Sequence, residues 1–300
     1  MNSLLSISDL SADQIKQLVD KAIALKAEIK NKGGHDKLPL KNKSMAMIFD
    51  KSSLRTRLSF EIGMTQLGGH AVYLAPDDIK LGKRETVHDT AKVISSMADI
   101  IIARVTSHED VSDLARYSTV PVINAMTDVE HPCQVLADLM TIYEKFGTLT
   151  GLKLAYLGDA DANVIYSIAL AAEILNLELA IAAPKGYEMA PAARKQAPSV
   201  KHYNDPAKAV KGAHVVITDT WVSMGKEAES QERLKKLMPF QVTTDLMAKA
   251  DPKAIFLHCL PAYRGKEMTT EVIDGPQSAA FEEAENRLHM QKAVVLELLT

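Results

Sequence analysis

Ser53-Leu54-Arg55-Thr56-Arg57 places two guanidinium groups and two hydroxyls within five residues, after the apolar run Met45-Ala46-Met47-Ile48-Phe49 and at the head of a helical pattern over Leu58–Leu67. A helix N-terminus leaves backbone N–H groups without intrahelical partners and carries the positive end of the macrodipole. Hydroxyls and guanidinium forks placed there suit a phosphate dianion. This reading predicts a small phosphorylated ligand. A plainer reading makes Arg55 and Arg57 a solvated first turn, with Ser53 an ordinary N-cap and Asp50 a local ion partner. Three later clusters favour the first reading: His131-Pro132-Cys133-Gln134, Asp219-Thr220-Trp221-Val222-Ser223-Met224-Gly225 and His258-Cys259-Leu260-Pro261.

The elements that must position these residues alternate between apolar strands and helical patterns, the rhythm of parallel sheets with right-handed crossovers. Strands are expected near 44–49, 70–74, 99–103, 120–124, 152–157, 178–183, 214–218 and 254–258. Most are short runs of Val, Ile, Ala and Leu, as for strands buried on both faces. The fold class is α/β, with two doubly wound domains. A helix over Val135–Phe146 leads to Gly147-Thr148-Leu149-Thr150-Gly151, which marks the junction: 1–147 forms one domain and 148–280 the other. The last segment, Phe281–Leu299, reads as an amphipathic helix with Leu288, Val294, Val295 and Leu298 for packing, and with no strand to feed it is expected to cross back onto the first domain, so that 281–300 belongs there.

Ligands of open α/β sheets collect at the carboxyl ends of strands. Ser53 to Arg57 follow the first strand, and Arg104 ends Ile100-Ile101-Ile102-Ala103. His131 and Gln134 open a helix after Val122-Ile123-Asn124, and Asn163 lies in the loop after Leu154-Ala155-Tyr156-Leu157. Asp219 ends Val215-Val216-Ile217-Thr218, and Cys259 ends Ile255-Phe256-Leu257-His258. One cleft between two domains would collect them all.

Composition narrows the function classes. The 300 residues are 47% hydrophobic and 24% charged, ordinary for a compact enzyme of about two domains. A net charge of -3, 5% aromatic residues and no basic run argue against nucleic acid as a partner. No apolar stretch is long enough to span a membrane. Met1–Leu10 contains Asp9 and lacks a basic start, unlike a secretory or transit peptide. Two cysteines far apart offer neither a metal-ligand spacing nor a disulfide framework, so no metal or cofactor and a cytoplasmic location are expected.

The four clusters and Arg104, in this order, resemble the aspartate/ornithine carbamoyltransferase family, and within it the ornithine-using branch. Its motifs are Ser-Thr-Arg-Thr-Arg, an Arg at a strand end, His-Pro-x-Gln, Asp-x-Trp-x-Ser-Met-Gly and His-Cys-Leu-Pro. The likeness runs from about residue 44 to the C-terminus. Ser-Met-Gly and His-Cys-Leu-Pro are the specific elements, since the first and third motifs also occur where the second substrate is aspartate. The resemblance implies transfer of the carbamoyl group of carbamoyl phosphate to the δ-amino group of L-ornithine, giving L-citrulline and phosphate in arginine biosynthesis. Ser53, Leu54 through its backbone, Arg55, Thr56 and Arg57 would hold the phosphate, and Arg104 would bridge to the carbonyl. His131 and Gln134 would orient the carbamoyl group, and Arg287 would reach it from the last helix. Asp219, Ser223 and the Met224 backbone would hold the α-amino group of ornithine, and Asn163 its carboxylate. Cys259 and the Leu260 carbonyl would meet the δ-amino group. The first domain becomes the carbamoyl phosphate domain and the second the ornithine domain. Family members borrow loop residues from a neighbouring subunit, so Lys80 and Arg84 are candidates for an intersubunit contact in a homotrimer or a larger assembly of trimers.

The chemistry asks for such groups. An alkyl amine with a pKa of about 10.4 is almost wholly protonated at neutral pH, so the site must favour the neutral form; Asp219 and Cys259 are placed to assist. Positioning and charge stabilisation then suffice, without a metal or a covalent intermediate. Structural alternatives remain for three residues: His131 as a helix cap, Cys259 as a small buried hydrophobe, and Arg287 as an exposed i,i+4 partner of Glu283. The chain departs from the family in four places. Leu54 stands for the usual Thr, and Cys133 fills a variable position as packing. Asp159-Ala160-Asp161-Ala162-Asn163 keeps one Asn where many relatives have two, and Lys80 stands where relatives often carry Gln. Rival functions are a carbamoyltransferase for putrescine, N-acetylornithine or aspartate, a nucleotide-binding module at Gly158-Asp159, which lacks Gly-x-Gly-x-x-Gly, and a non-catalytic binding relative.

Overall fold

The computed structural model describes residues 1–221 and 230–300. The chain forms two compact units, Met1–Met140 with Glu285–Thr300, and Thr141–Ala284. Each is built on a parallel sheet. In the first unit the strands are β1 (Ser44–Phe49), β2 (His70–Leu74), β3 (Ile100–Arg104) and β4 (Val122–Met126), in the order β2-β1-β3-β4. In the second they are β5 (Lys153–Leu157), β6 (Glu178–Ala182), β7 (Lys201–Tyr203), β8 (Val215–Thr218) and β9 (Ile255–His258), in the order β7-β6-β5-β8-β9.

Eight strands lie close to their expected positions, and two differences have local causes. β4 starts at Val122 rather than Val120, because Val120 is held in a turn by the Ser118 hydroxyl, which accepts from its N–H at 3.0 Å and donates to its carbonyl at 2.7 Å. Among the described residues β7 is a ninth strand, three residues long, and its Lys201-His202-Tyr203 carries no apolar run because it lies at the sheet edge with two residues exposed. The central strands read as continuous apolar runs because both faces are covered: Met45 to Phe49 are all buried.

Strand order reverses between β1 and β3 in the first unit and between β5 and β8 in the second. These are the switch points at which ligands of such sheets bind. Register aligns the strand ends there. Phe49 pairs with Arg104 and Arg104 with Met126, with a register slip between Ala103 and Arg104 of the kind that re-aims a side chain. In the second unit Leu157, Thr218 and His258 stand side by side, so Gly158, Asp219 and Cys259 leave the sheet along one edge. Gly158 adopts φ +120°, and a Cβ built there would lie 2.5 Å from Trp221 Nε1.

The helix Leu54–Gln66 begins within the first motif and carries apolar residues on both its outer and its inner face. Leu54, Leu58 and Ile62 are exposed, while Thr56, Ser59, Phe60, Gly63 and Met64 are buried. The missing side chain at Gly63 admits the helix Ala280–Leu299, whose Lys292 and Leu288 side chains pass close to it. That last helix packs into the first unit from Glu285 onward. It buries Val294 and Val295 as expected, but also Asn286, Arg287, Gln291 and Lys292. Lys292 donates to Gln66 Oε1 at 2.7 Å and faces His35 Nε2 at 3.0 Å, and burial lowers its ammonium to about 8.

Gly158→Ala is expected to destabilise the chain by about 2 kcal/mol or more, through a positive φ that alanine disfavours and a clash with the indole. Thermal unfolding midpoints lower by several degrees would show it; an unchanged midpoint would mean that neither the backbone conformation nor Trp221 resists a methyl group there.

Candidate active site

In the first unit the candidate residues converge on one hydroxyl. Ser53 caps the helix Leu54–Gln66, its Oγ accepting from the Thr56 N–H at 3.4 Å and lying 3.1 Å from Thr56 Oγ1 as donor. Thr56 Oγ1 also receives Arg104 Nη1 at 3.5 Å and Arg287 Nη2 at 3.4 Å. Arg287 Nη1 donates to Gln134 Oε1 at 2.6 Å, and Gln134 Nε2 donates to Asp138 Oδ1 at 2.8 Å. The amide of Gln134 is therefore fixed in orientation by a cation on one side and a carboxylate on the other. Arg287 is 2% exposed, which rules out the solvated-face alternative for it.

His131 precedes the helix Pro132–Phe146, and its carbonyl accepts from the N–H of Gln134 and Val135 at 3.0 and 3.3 Å. Its imidazole is buried. Burial first, then the charges of Arg287, Arg104 and Arg55, hold it well below the ordinary histidine value. It is neutral at physiological pH, and a neutral imidazole donates one N–H to a carbonyl oxygen without adding a further cation. Three guanidinium groups around that imidazole, at a helix N-terminus, form a setting suited to a dianionic phosphate beside a polarised carbonyl.

Some first-unit candidates stand apart. Arg57 donates through Nε to both carboxylate oxygens of Glu61, at 3.1 and 3.2 Å, and its guanidinium lies 4.0 Å from the Tyr73 ring centroid. Leu54 is exposed, as are Lys80 and Arg84. Asp50, the ion partner of the plainer reading, accepts from the Thr106 N–H at 3.1 Å.

In the second unit Cys259 donates its thiol hydrogen to Asp219 Oδ1 at 2.9 Å, across the ends of β8 and β9. The Thr220 N–H reaches the same oxygen at 2.6 Å, and Thr220 Oγ1 donates to the Pro261 carbonyl at 2.8 Å. His258 shapes the turn: its Nδ1 accepts from the Leu260 N–H at 2.9 Å, with Leu260 at φ +57°. An accepting Nδ1 leaves the proton on Nε2, which faces Glu267 Oε1 at 3.4 Å. Asn163 is the first residue of the helix Asn163–Leu175 rather than a loop residue, with Ala162 at the cap position. Ser223 and Met224 lie outside the described residues.

Two supporting groups were not read from the sequence. Asp138 stands four residues after Gln134 on one helix, a spacing that could have shown the pair. Glu267 meets His258 only through the tertiary fold, and no local signal marks it.

The two cysteines differ in environment. Cys133 is fully buried, donates to the Asn124 carbonyl at 3.4 Å, and burial pushes its thiol up to about 12. Cys259 is half-buried. Native protein treated with an alkylating reagent is expected to gain one adduct, at Cys259, with Cys133 reacting only after denaturation; peptide mass spectrometry showing native labelling of Cys133 would contradict this. His131 gives a second expectation. Unfolded, it takes up a proton near pH 6.5, and folded it does not, so stability falls as pH drops below that value. His131→Gln should make the acid-side fall shallower by up to about 1.4 kcal/mol per pH unit. Denaturant titrations from about pH 7 to about pH 5 read it, and an unchanged slope would mean the folded imidazole is charged.

Known proteins match along nearly the whole chain. Residues 2–144 match the aspartate/ornithine carbamoyltransferase, carbamoyl-P binding domain, and residues 150–298 the aspartate/ornithine carbamoyltransferase, Asp/Orn binding domain. An ornithine carbamoyltransferase of Methanosarcina acetivorans is 51% identical over 300 residues, covering 99% of this chain and 98% of the relative. A Pyrococcus furiosus protein named ornithine carbamoyltransferase, anabolic, is 48% identical over 300 residues, covering 97% and 94%. The solved ornithine carbamoyltransferase of Pyrococcus furiosus matches with a TM-score of 0.94 at 48% identity, covering 99% of this chain and 96% of that one. Motif residues, strand-end geometry and full-length likeness lead to one conclusion: the chain belongs to the aspartate/ornithine carbamoyltransferase family.

Proposed function

We propose that this protein transfers the carbamoyl group of carbamoyl phosphate to the δ-amino group of L-ornithine, giving L-citrulline and phosphate. The observation that carries the choice of a cationic amine over aspartate is the Cys259 thiol hydrogen-bonded to Asp219 at the ends of β9 and β8, and the likeness to ornithine carbamoyltransferases supports ornithine among the amines. A carboxylate there attracts a substrate with two ammonium groups and repels a dicarboxylate such as aspartate.

In this reading residues 1–147, with the helix 281–300, hold carbamoyl phosphate, and 148–280 hold ornithine. Ser53, the backbone of Leu54, Arg55 and Thr56 grip the phosphate. Arg104, His131, Gln134 and Arg287 face the carbamoyl group. The δ-ammonium gives up a proton to the Asp219 carboxylate, directly or by relay as the Cys259 thiol passes its own hydrogen to Asp219 and takes the ammonium's, and the neutral amine attacks the carbonyl carbon. Arg104 and the His131 N–H stabilise the resulting oxyanion. The C–O bond to phosphate then breaks, and the nitrogen's surplus proton leaves with the departing phosphate or solvent. The amine is itself the nucleophile, so the route calls for neither a metal nor an acylated enzyme.

Assembly as a homotrimer, or a larger set of trimers, is part of the proposal. The exposed row Leu54, Leu58 and Ile62, with Val72 on the edge strand β2, supports burial against another copy. Lys80 and Arg84, exposed after β2, are the residues a neighbour's site would borrow. A cytoplasmic place and a biosynthetic direction toward arginine complete the reading; the Pyrococcus relative's name includes "anabolic".

Purified protein given carbamoyl phosphate and, separately, ornithine, putrescine, N-acetylornithine and aspartate is expected to turn over ornithine alone. In calorimetry, Arg104→Ala should weaken carbamoyl phosphate binding by about 2–5 kcal/mol, and Asp219→Asn should leave that binding nearly unchanged while raising the KM for ornithine. Preference for another amine would overturn the ornithine assignment, and unchanged carbamoyl phosphate affinity in Arg104→Ala would overturn the phosphate assignment.

A further inference from the structure

A buried arginine that no motif includes joins two of the second unit's strand-end loops. Arg233, in the helix Ser230–Leu237, is 8% exposed. Its Nη2 donates to Asp159 Oδ2, and its Nε donates to the Trp221 carbonyl at 3.1 Å. Its guanidinium lies 4.9 Å from the Tyr187 ring centroid. Asp159 Oδ1 accepts from the Asp161 N–H at 3.1 Å, its carbonyl accepts from Tyr156 Oη at 3.0 Å, and the Ala160 N–H donates to the Tyr187 carbonyl at 2.8 Å. One guanidinium therefore fixes the turn that ends at Asn163 and the carbonyl two residues beyond Asp219. These turns follow β5 and β8, the pair of strands at the switch point.

We propose that Arg233 is a positioning residue for the amino-acid substrate: through Asp159 it sets Asn163, and through the Trp221 carbonyl it sets Asp219. The proposal rests on the ornithine reading of this half. Stability alone accounts poorly for the arrangement, because a buried ion pair gains little over a well-packed apolar pair of the same volume. A planar fork instead gives fixed geometry between two loops, which a lysine's single ammonium does not reproduce.

The test is steady-state kinetics of the full chain, varying each substrate at saturation of the other. Wild type is measured first, and no turnover of ornithine there overturns the functional reading itself. With wild type active, Arg233→Gln is expected to raise the KM for ornithine by about tenfold or more while the KM for carbamoyl phosphate stays within about twofold. Arg233→Lys should restore part of that loss. Asp159→Asn should reproduce it, and the double variant should be no worse than the poorer single one. If Arg233→Gln does not fold, the lysine variant reads the same ratio of KM values. Equal rises in both KM values, an unchanged ornithine KM, or additive losses in the double variant would each overturn the positioning role.

Discussion

Three guanidinium groups drawn round one buried imidazole repel each other, and the first unit's architecture is the means of keeping them there. Arg104 is brought in by the register of β3 against β1 and by the slip between Ala103 and Arg104. Arg55 stands in the first turn of the helix capped by Ser53. Arg287 arrives from the far end of the chain, held by Gln134 and Thr56. Like charges in low dielectric are costly, and a neutral His131 avoids adding a fourth. The same repulsion makes the site favour a dianion, since a ligand that neutralises the cations relieves it.

The second unit solves the opposite electrostatic problem. A carboxylate and a thiol share a hydrogen bond at the strand ends, a combination that favours a cationic ligand and offers its surplus proton somewhere to go. Rigid neighbours hold the pair. His258 takes the Leu260 N–H and fixes a left-handed residue that leucine seldom adopts, a local strain tolerated because the surrounding bonds determine it. Thr220 ties this turn to the Asp219 turn through the Pro261 carbonyl. Dense backbone anchoring, rather than apolar packing, sets the positions of the reactive groups.

The alternation of strands and helices was legible because central parallel strands are apolar throughout and their ends carry the polar residues that bind. Met45–Phe49 followed by Ser53–Arg57 shows both in one stretch. β7 escaped notice because an edge strand with exposed Lys201 and His202 has no apolar signature. The last helix was legible as a helix, and Arg287 as a site residue by resemblance, but the burial of the polar residues around Arg287 was not. Its Asn286, Gln291 and Lys292 resemble a solvated face until Leu54–Gln66, open at Gly63, and Lys26 are placed against that helix.

The sequence by itself determined the α/β class, the motifs and their place at strand ends, because these depend on local pattern and on residue types that chemistry requires. The tertiary structure decided which of those residues meet. It drew Arg104, Arg287 and Ser53 to Thr56, turned Arg57 toward Glu61 and Tyr73, paired Cys259 with Asp219, and brought in Glu267 and Arg233, which no motif contains. The physical reason is distance along the chain. A contact between residues tens or hundreds of positions apart is fixed by sheet register and helix packing, and a one-residue change in either would send the same side chains elsewhere.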